Sequence, residues 1–276
     1  MKATFKFFGL LLLLTTLTFI SCNKDDDEPV PAGSDDEISE QITKSNTIDG
    51  DTGEVVDLVD MVYLEQETGT RNTSVFVPGC ADIQVEIDGM TKIVTIDFGD
   101  GCEMPGGRVF KGIIVLEYTL DTDALTRTLN FTFDGFYIDD KAYTGGGTIL
   151  REWQNDNGNP QSTITMDINI LWPGGEQYHR TSEKVREWIE GVGTPEWGDN
   201  VYLITGNKTT TFPDGTVNSG IVTTPLRREL ACNFIVSGVI ALTHNGHTGT
   251  LDFGEGECDN IAVFTSVDGT THIIHL

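Results

Sequence analysis

Positive charge is scarce in this chain: 17 lysines and arginines stand against 43 aspartates and glutamates, for a formal net charge of −26. There is no basic stripe and no basic recognition motif, and a surface of this sign repels phosphate backbones and anionic headgroups, so nucleic acid is excluded as a partner. Apolar length is short as well. The run Phe7 to Leu14, with Thr15 to Ile20 behind it, falls below the ~20 residues a spanning helix needs. No CxxC pair is present, which argues against zinc held by four thiolates. The strand-like segments beyond residue 80 have no regular helix between them, so the crossovers of a parallel sheet are missing.

What the N-terminus does contain is Lys2 and Lys6 ahead of that short apolar run, the layout of a secretory signal. Phe19-Ile20-Ser21-Cys22 resembles the lipobox of bacterial lipoproteins, in which the cysteine thiol takes a diacylglycerol and cleavage falls just before it. The resemblance implies that residues 1–21 are removed and that Cys22 is acylated. Two or three acyl chains anchor stably where one gives marginal binding, at ~0.8 kcal/mol per buried CH₂. The following Asn23-Lys24-Asp25-Asp26-Asp27-Glu28 resembles the export signal of surface-exposed lipoproteins of Bacteroidota. It implies an outer-membrane, lipid-anchored protein facing the cell exterior. An ordinary acidic linker on a periplasmic protein is the plainer alternative. Residues 1–21 carry two lysines and no acid, so the processed chain stands at −28 over 255 residues, enough for one large domain or two small ones.

With Cys22 acylated, Cys80, Cys102, Cys232 and Cys258 remain, an even number in an exported protein and therefore a disulfide framework. An internal repeat selects the pairing. "CADIQVEIDGMTKIVTIDFGDGCE" and "CNFIVSGVIALTHNGHTGTLDFGEGECD" each run cysteine, strand, Asp-Gly or Asn-Gly turn, strand, Asp-Phe-Gly, acid, Gly, cysteine. Cys80 is thus expected to pair with Cys102, and Cys232 with Cys258. A turn at Asn245-Gly246 puts residue 232 opposite 259, in good agreement. A turn at Asp88-Gly89 puts Cys80 opposite Asp97, so Phe98-Gly99-Asp100-Gly101 must fold back, which its two glycines permit.

Residues 22–47 hold two acidic clusters with Pro29, Pro31, Gly33 and Ser34 and read as a flexible tether. A domain over 48–276 follows. Val55, Val56, Leu58, Val59, Val62 and Tyr63 recur at helical spacing behind Asp51 and Glu54, placed as in a capping box, so one short helix is expected there, with a strand as the alternative. Beyond Cys80, Asx-Gly turns at 88, 157, 214, 245 and 268 punctuate runs rich in Thr, Val, Ile, Phe and Tyr. "TRTLNFTFDGFYI" alternates apolar Leu129, Phe131 and Phe133 with Thr128, Asn130 and Thr132. The expected fold is all-β: an antiparallel meander forming a sandwich or a curved, barrel-like sheet. "HRTSEKVREWIEG" has a helix-like look, but its strand-like neighbours favour a strand. Ile96-Asp97-Phe98-Gly99, Glu187-Trp188-Ile189-Glu190-Gly191, Val201-Tyr202-Leu203-Ile204 and Leu251-Asp252-Phe253-Gly254 together resemble a group of uncharacterised lipoproteins of Bacteroidota, a resemblance that implies the compartment and no activity.

Constellations with chemistry are thin. Glu86-Ile87-Asp88 resembles half of a laminarinase-type catalytic strand, but Thr91 stands where the second glutamate is required. Asp97-Phe98-Gly99 matches the kinase tripeptide without the lysine strand, catalytic loop or glycine-rich loop, and its recurrence at Asp252 marks it as a hairpin end. His244 and His247 face each other across a turn without an evident third ligand, while His272 and His275 fall on opposite faces. No nucleophile elbow is present. Trp153, Trp172, Tyr178, Trp188 and Trp197 fall within 45 residues, a set that could stack on sugar rings if exposed, or could simply fill the core. The sequence therefore predicts a non-catalytic surface lipoprotein with a binding or envelope-structural role, with no metal and no cofactor. Its partners are the outer membrane, through the acyl chains, and a polysaccharide or envelope protein. A glycan-binding accessory lipoprotein is the first alternative and a β-sandwich hydrolase the second.

Overall fold

The computed structural model describes residues 35–68, 77–120, 125–194, 196–244 and 247–276. Cys22 and the export signal lie outside them. One helix, α1 (Asp35–Thr68), precedes fourteen antiparallel strands: β1 (Asp82–Asp88), β2 (Thr91–Asp97), β3 (Cys102–Glu103), β4 (Val109–Thr119), β5 (Thr126–Ile138), β6 (Lys141–Glu152), β7 (Gln161–Leu171), β8 (Gln177–Glu190), β9 (Val201–Thr211), β10 (Val217–Glu229), β11 (Ile235–His244), β12 (His247–Glu255), β13 (Ile261–Ser266) and β14 (Thr271–His275). Each strand pairs with the next in sequence, except that β3 is a short branch on β4. The result is a single meander. The sheet is open, with β1 and β14 as its edges, so of the two expected architectures the curved sheet is the one formed, and among the described residues all strands belong to this one sheet.

The sheet curls around α1. Strands from β2 to β10 reach the helix with side chains, and β14 lies against it at the far edge. Residues 55–63, Val-Val-Asp-Leu-Val-Asp-Met-Val-Tyr, are all buried. Nine consecutive buried residues cover every face of a helix, which a helix lying on one sheet face never shows. The helix is also longer than expected. It includes residues 35–47, which read as tether, and Ile42 is buried among apolar residues of the last strands. Those residues are too polar to hold a core of their own, and they are ordered by the sheet that surrounds them. Asp51 and Glu54 do not cap a helix start; they lie mid-helix and pair with Arg108.

One turn recurs five times. At 104–108, 155–159, 172–176, 212–216 and 266–270, the first residue's N–H donates to the fifth residue's carbonyl, and the fourth residue, always glycine, donates back to the first. That glycine sits at φ +84 to +92, the left-handed position that closes a type I turn with a bulge. The Asx-Gly signals at 157, 214 and 268 are three of these five turns. In the middle of β6, Gly145-Gly146-Gly147 lies so close to the carbonyls of Asp167, Phe131 and Thr165 that a Cβ there would collide with backbone, and side-chain-free residues let the sheet bend tightly at this point.

The interior is divided. A large apolar cluster packs Ile48, Val55, Val56, Leu58, Val59, Val62 and Tyr63 of α1 against β2 to β8, with Phe98, Phe110, Phe131 and Phe136 prominent. A smaller one joins Ile42 to Leu226, Ile240, Leu242, Leu251, Phe253, Phe264 and Ile274 of β10 to β14.

Candidate functional site

Both expected disulfides form. Cys80 and Cys102 have Cα atoms 5.6 Å apart, and Cys232 and Cys258 are 5.8 Å apart. The β1–β2 register runs Asp82 with Asp97, ending at Asp88 with Thr91. The turn is therefore Gly89-Met90, one residue later than expected. The fold-back beyond it uses Gly99 and Gly101, both at positive φ. At the two repeat ends the same Asx turn appears: Gly99 N–H donates to Asp97 at 2.8 Å and Gly254 N–H to Asp252 at 2.9 Å. Asp-Phe-Gly is thus turn chemistry in both places.

The five aromatics do not converge. The first part of α1 meets the start of β8, where Lys44 stands over the Tyr178 ring, here the entry end, and its last part meets Pro160 and Trp188 at Asp60 and Leu64, the exit end. Trp172 and Tyr178 stand at the entry end, their ring centroids 4.6 Å apart, with Tyr178 buried against Phe212. Trp153, Trp188 and Trp197 are at the exit end. Trp153 is 51% exposed, whereas Trp188 and Trp197 are half-buried, and Trp188 lies 5.8 Å from the Tyr202 ring. On the outer face of this end, Glu187 accepts hydrogen bonds of 2.9 to 3.0 Å from the side-chain amides of Asn155, Asn157 and Asn159, which hold its carboxyl below the usual range.

Nor do the other candidates assemble a reaction centre. Glu86 and Asp88 are exposed on the edge strand β1. His244 and His247 are cross-strand partners, but among the described residues no group of three His, Cys, Asp or Glu is placed to hold a metal. Two recesses open at the exit end. One, between Asp60, Arg151, Arg186, Trp188 and Tyr202, holds about 10 Å³, room for one water. The other, a wide recess of about 480 Å³ bordered by Glu117, Tyr118, Arg127 and several threonines, contains one carboxylate and no histidine, which is not an acid–base pair.

The feature that sequence reasoning missed is inside. Nine of the twelve described lysines and arginines beyond the helix pair with acids of α1: Lys92 with Glu67; Arg108 with Asp51 and Glu54; Lys141 with Asp51; Arg151 with Asp60; Arg180, Lys184 and Lys208 with Asp49; Arg186 with Asp57 and Asp60; Arg228 with Asp57. A chain of strong negative charge thus points most of its cations inward, and its outer surface is left acidic. Desolvation makes such ions costly unless paired, and the pairing is dense. Burial raises the carboxyls of Asp51 and Glu54 in spite of Arg108. Burial works against charge on Arg186 too, yet Asp57, Tyr202 and Asp60 hold it above its usual range. Its guanidinium lies 3.6 Å from the Tyr202 ring centroid. Burial pushes Asp49 up, but Arg180, Lys184 and Lys208 together outweigh it and hold that carboxyl well below the ordinary range.

The part of this polar set carried by β8 to β10 forms a layer between the two apolar clusters. Arg180, Thr210, Asn218 and His244 form one cross-strand row over β8 to β11, all buried, and Ser45 and Asn46 of α1 meet Arg180, Thr210 and Lys208. No family model, curated protein or solved structure matches this chain.

Proposed function

We propose that this protein is a non-catalytic, lipid-anchored protein of the outer membrane's outer face, held by acyl chains on Cys22 and serving in binding or envelope structure. The observation that carries the reading on the structural side is the filled interior. The curled sheet encloses its own helix, with residues 55–63 buried on every face, so the concave side that would hold a substrate in an empty sheet is occupied. What remains to meet a partner is the acidic convex face and the two ends. Metabolic labelling with a palmitate analogue tests the anchor. Label and detergent-phase partitioning are expected in the wild type and lost in Cys22→Ala; equal labelling of both would reject it. Cleavage of the intact cells' protein by added protease tests the outward orientation.

A second reading, glycan binding, has one specific observation in its favour. Trp153 is exposed beside the loop whose Asn155, Asn157 and Asn159 side chains surround Glu187, an aromatic face next to planar polar groups, as sugar recognition requires. A glycan-array screen of the mature chain with Trp153→Ala as control decides it. Saturable binding lost in the variant supports the reading, and binding that survives the substitution, or none at all, removes it.

A further inference from the structure

Asp49 is one carboxylate facing three cations. Arg180 and Lys184 approach one of its oxygens at 3.0 Å each, and Lys208 takes the other. The charges acting most strongly on Asp49 are these three cations, and those on Lys208 are Asp49, Arg180 and Lys184. These four groups therefore sum to two positive charges, and among the described residues no acid other than Asp49 is in ion-pair contact with the three cations, in an interior where Arg180 is 2% exposed and charge is poorly screened.

Its donors are also left over. Lys208 donates to Asp49 and Asn46, and Lys184 to Asp49. An ammonium has three protons, so Lys208 retains one and Lys184 two. Arg180 uses its terminal nitrogens on Asp49 and Ser45, while its Nε and the Nδ2 of Asn46 have no acceptor among the described residues. Unpartnered buried donors ordinarily hold ordered water. Water satisfies the hydrogen bonds and leaves the charge as it was.

We infer that this cluster binds one small inorganic anion of the chloride class, held by Arg180 Nε and the ammonium groups of Lys184 and Lys208. Its size follows from the near-complete burial of Arg180 and Lys208, and its route from Lys184 and Asp49, whose side chains keep 22% and 21% exposure. The lowered ammonium of Lys208, down to about 8 through burial and the repulsion of Arg180 and Lys184 against the pull of Asp49, accords with an unfilled excess of positive charge.

The test uses the mature acylated chain in detergent, dialysed into sodium gluconate and titrated with chloride or bromide at constant ionic strength, with sulfate and phosphate as separate arms. Thermal midpoint and halide NMR linewidth are read together. The expected result is a saturable rise in midpoint with either halide, matched by line broadening and abolished in Lys184→Met, a substitution at a partly exposed site. Asp49→Asn removes a repelling carboxylate from the anion's side, so halide affinity is expected to rise roughly tenfold or more. A cluster with a purely structural role predicts destabilisation in both variants and no halide-specific response. The proposal is overturned by equal midpoints in gluconate and halide, by a rise that Lys184→Met leaves intact, or by saturation with sulfate or phosphate alone. If Asp49→Asn does not fold, Lys184→Met carries the test.

Discussion

The two apolar clusters are built from the same kinds of residue by the same kind of strand, yet they relate to the helix differently. The larger one takes Ile48 and most of residues 55–63 from α1 and rings them with β2 to β8. The smaller one takes a single helix residue, Ile42, and otherwise consists of β10 to β14 packing on themselves. One half of the sheet is thus folded around the helix, and the other is attached to it at a point. Local stability follows the density of buried apolar contact, so the second half is expected to open first. Between them lie the ion pairs of β8 to β10, which tie this part of the sheet to the helix by charge instead of by apolar area; among the described residues no strand beyond β10 pairs with an acid of α1.

The largest effect is expected from breaking that layer. Arg186 is buried, pairs with Asp57 at 2.5 Å, and approaches Asp60 at 3.8 Å. Arg186→Met keeps the stem and deletes the charge, leaving two buried carboxylates with only Arg228 and Arg151. Removing one partner of a buried pair costs about 3–5 kcal/mol, measurable as a fall in unfolding free energy in urea. Arg227→Met is the matched control. Arg227 pairs with Glu190 and Glu229 on the outside, where both acids are solvated, and its loss is expected to cost under ~1 kcal/mol. Equal losses would mean that the inner layer is no more than a surface network turned inward.

Two truncations sharpen the comparison of the clusters themselves. Leu58→Ala and Ile42→Ala remove similar side chains from fully buried sites, each worth about 2–5 kcal/mol of transfer and cavity terms. Leu58→Ala is expected to lower the global unfolding free energy by that amount. Ile42→Ala is expected to act locally, with amide exchange accelerating across β11 to β14 while β4 to β7 stay protected. Uniform acceleration in both variants would make the two clusters one cooperative unit.

The disulfides offer a comparison with the covalent term held nearly constant. The loops they close span 22 and 26 residues, and loop-closure entropy assigns each about 3.5 kcal/mol. Replacing Cys80 and Cys102 together by alanine should lower global stability by roughly that amount. Replacing Cys232 and Cys258 should show its effect first as faster exchange in β11 to β13, because the loop it frees belongs to the half that opens locally. Identical exchange patterns in the two variants would contradict the division.

Much of this fold was legible in the sequence. The cysteine repeat, the Asx-Gly turns and the alternation of Leu129, Phe131 and Phe133 each report a local rule, and a meander is a fold made of local rules. The helix and the layer were not legible, for one physical reason. Ile42 looks isolated among polar residues, and Arg180, Lys184 and Arg186 in β8 look like a wet face, because a charge that is buried by being paired at a distance leaves no periodic trace. A signal existed nonetheless. In a chain so short of cations, arginine and lysine at positions 180, 184 and 186 share one strand face, and acids at 49, 51, 54, 57 and 60 interrupt the most apolar helical run. Two unlike patterns of opposite sign, each placed where apolar residues belong, point to each other. Trp153 was in the candidate set, but nothing local distinguished it from the half-buried Trp188, since exposure at a strand end depends on what the next connection covers.

The smallest expected effect, and the one that ties the layer to solution conditions, is the pH dependence through Lys208. Its ammonium titrates near 8 in the folded chain against 10.5 when unfolded. Between those values the unfolded chain binds the extra proton, so stability rises with pH, and the penalty of burying the charged form is present in full below pH 8. Tyr118, Tyr143 and Tyr202 have phenols raised above 10 by burial. They hold their protons longer when folded, so stability falls again once pH passes 10. In halide-free buffer Lys208 by itself should therefore contribute a gain of about 2 kcal/mol from pH 8 to pH 10, which tyrosine ionisation begins to offset as the pH approaches 10, and Lys208→Met should lose that contribution and show the tyrosine decline alone. An anion bound beside Lys208 stabilises its charged form and lifts the folded value toward 10.5, so saturating chloride should flatten the wild-type rise and leave the variant unchanged. A rise of the same slope in both proteins would place the titration elsewhere than in the layer between the clusters.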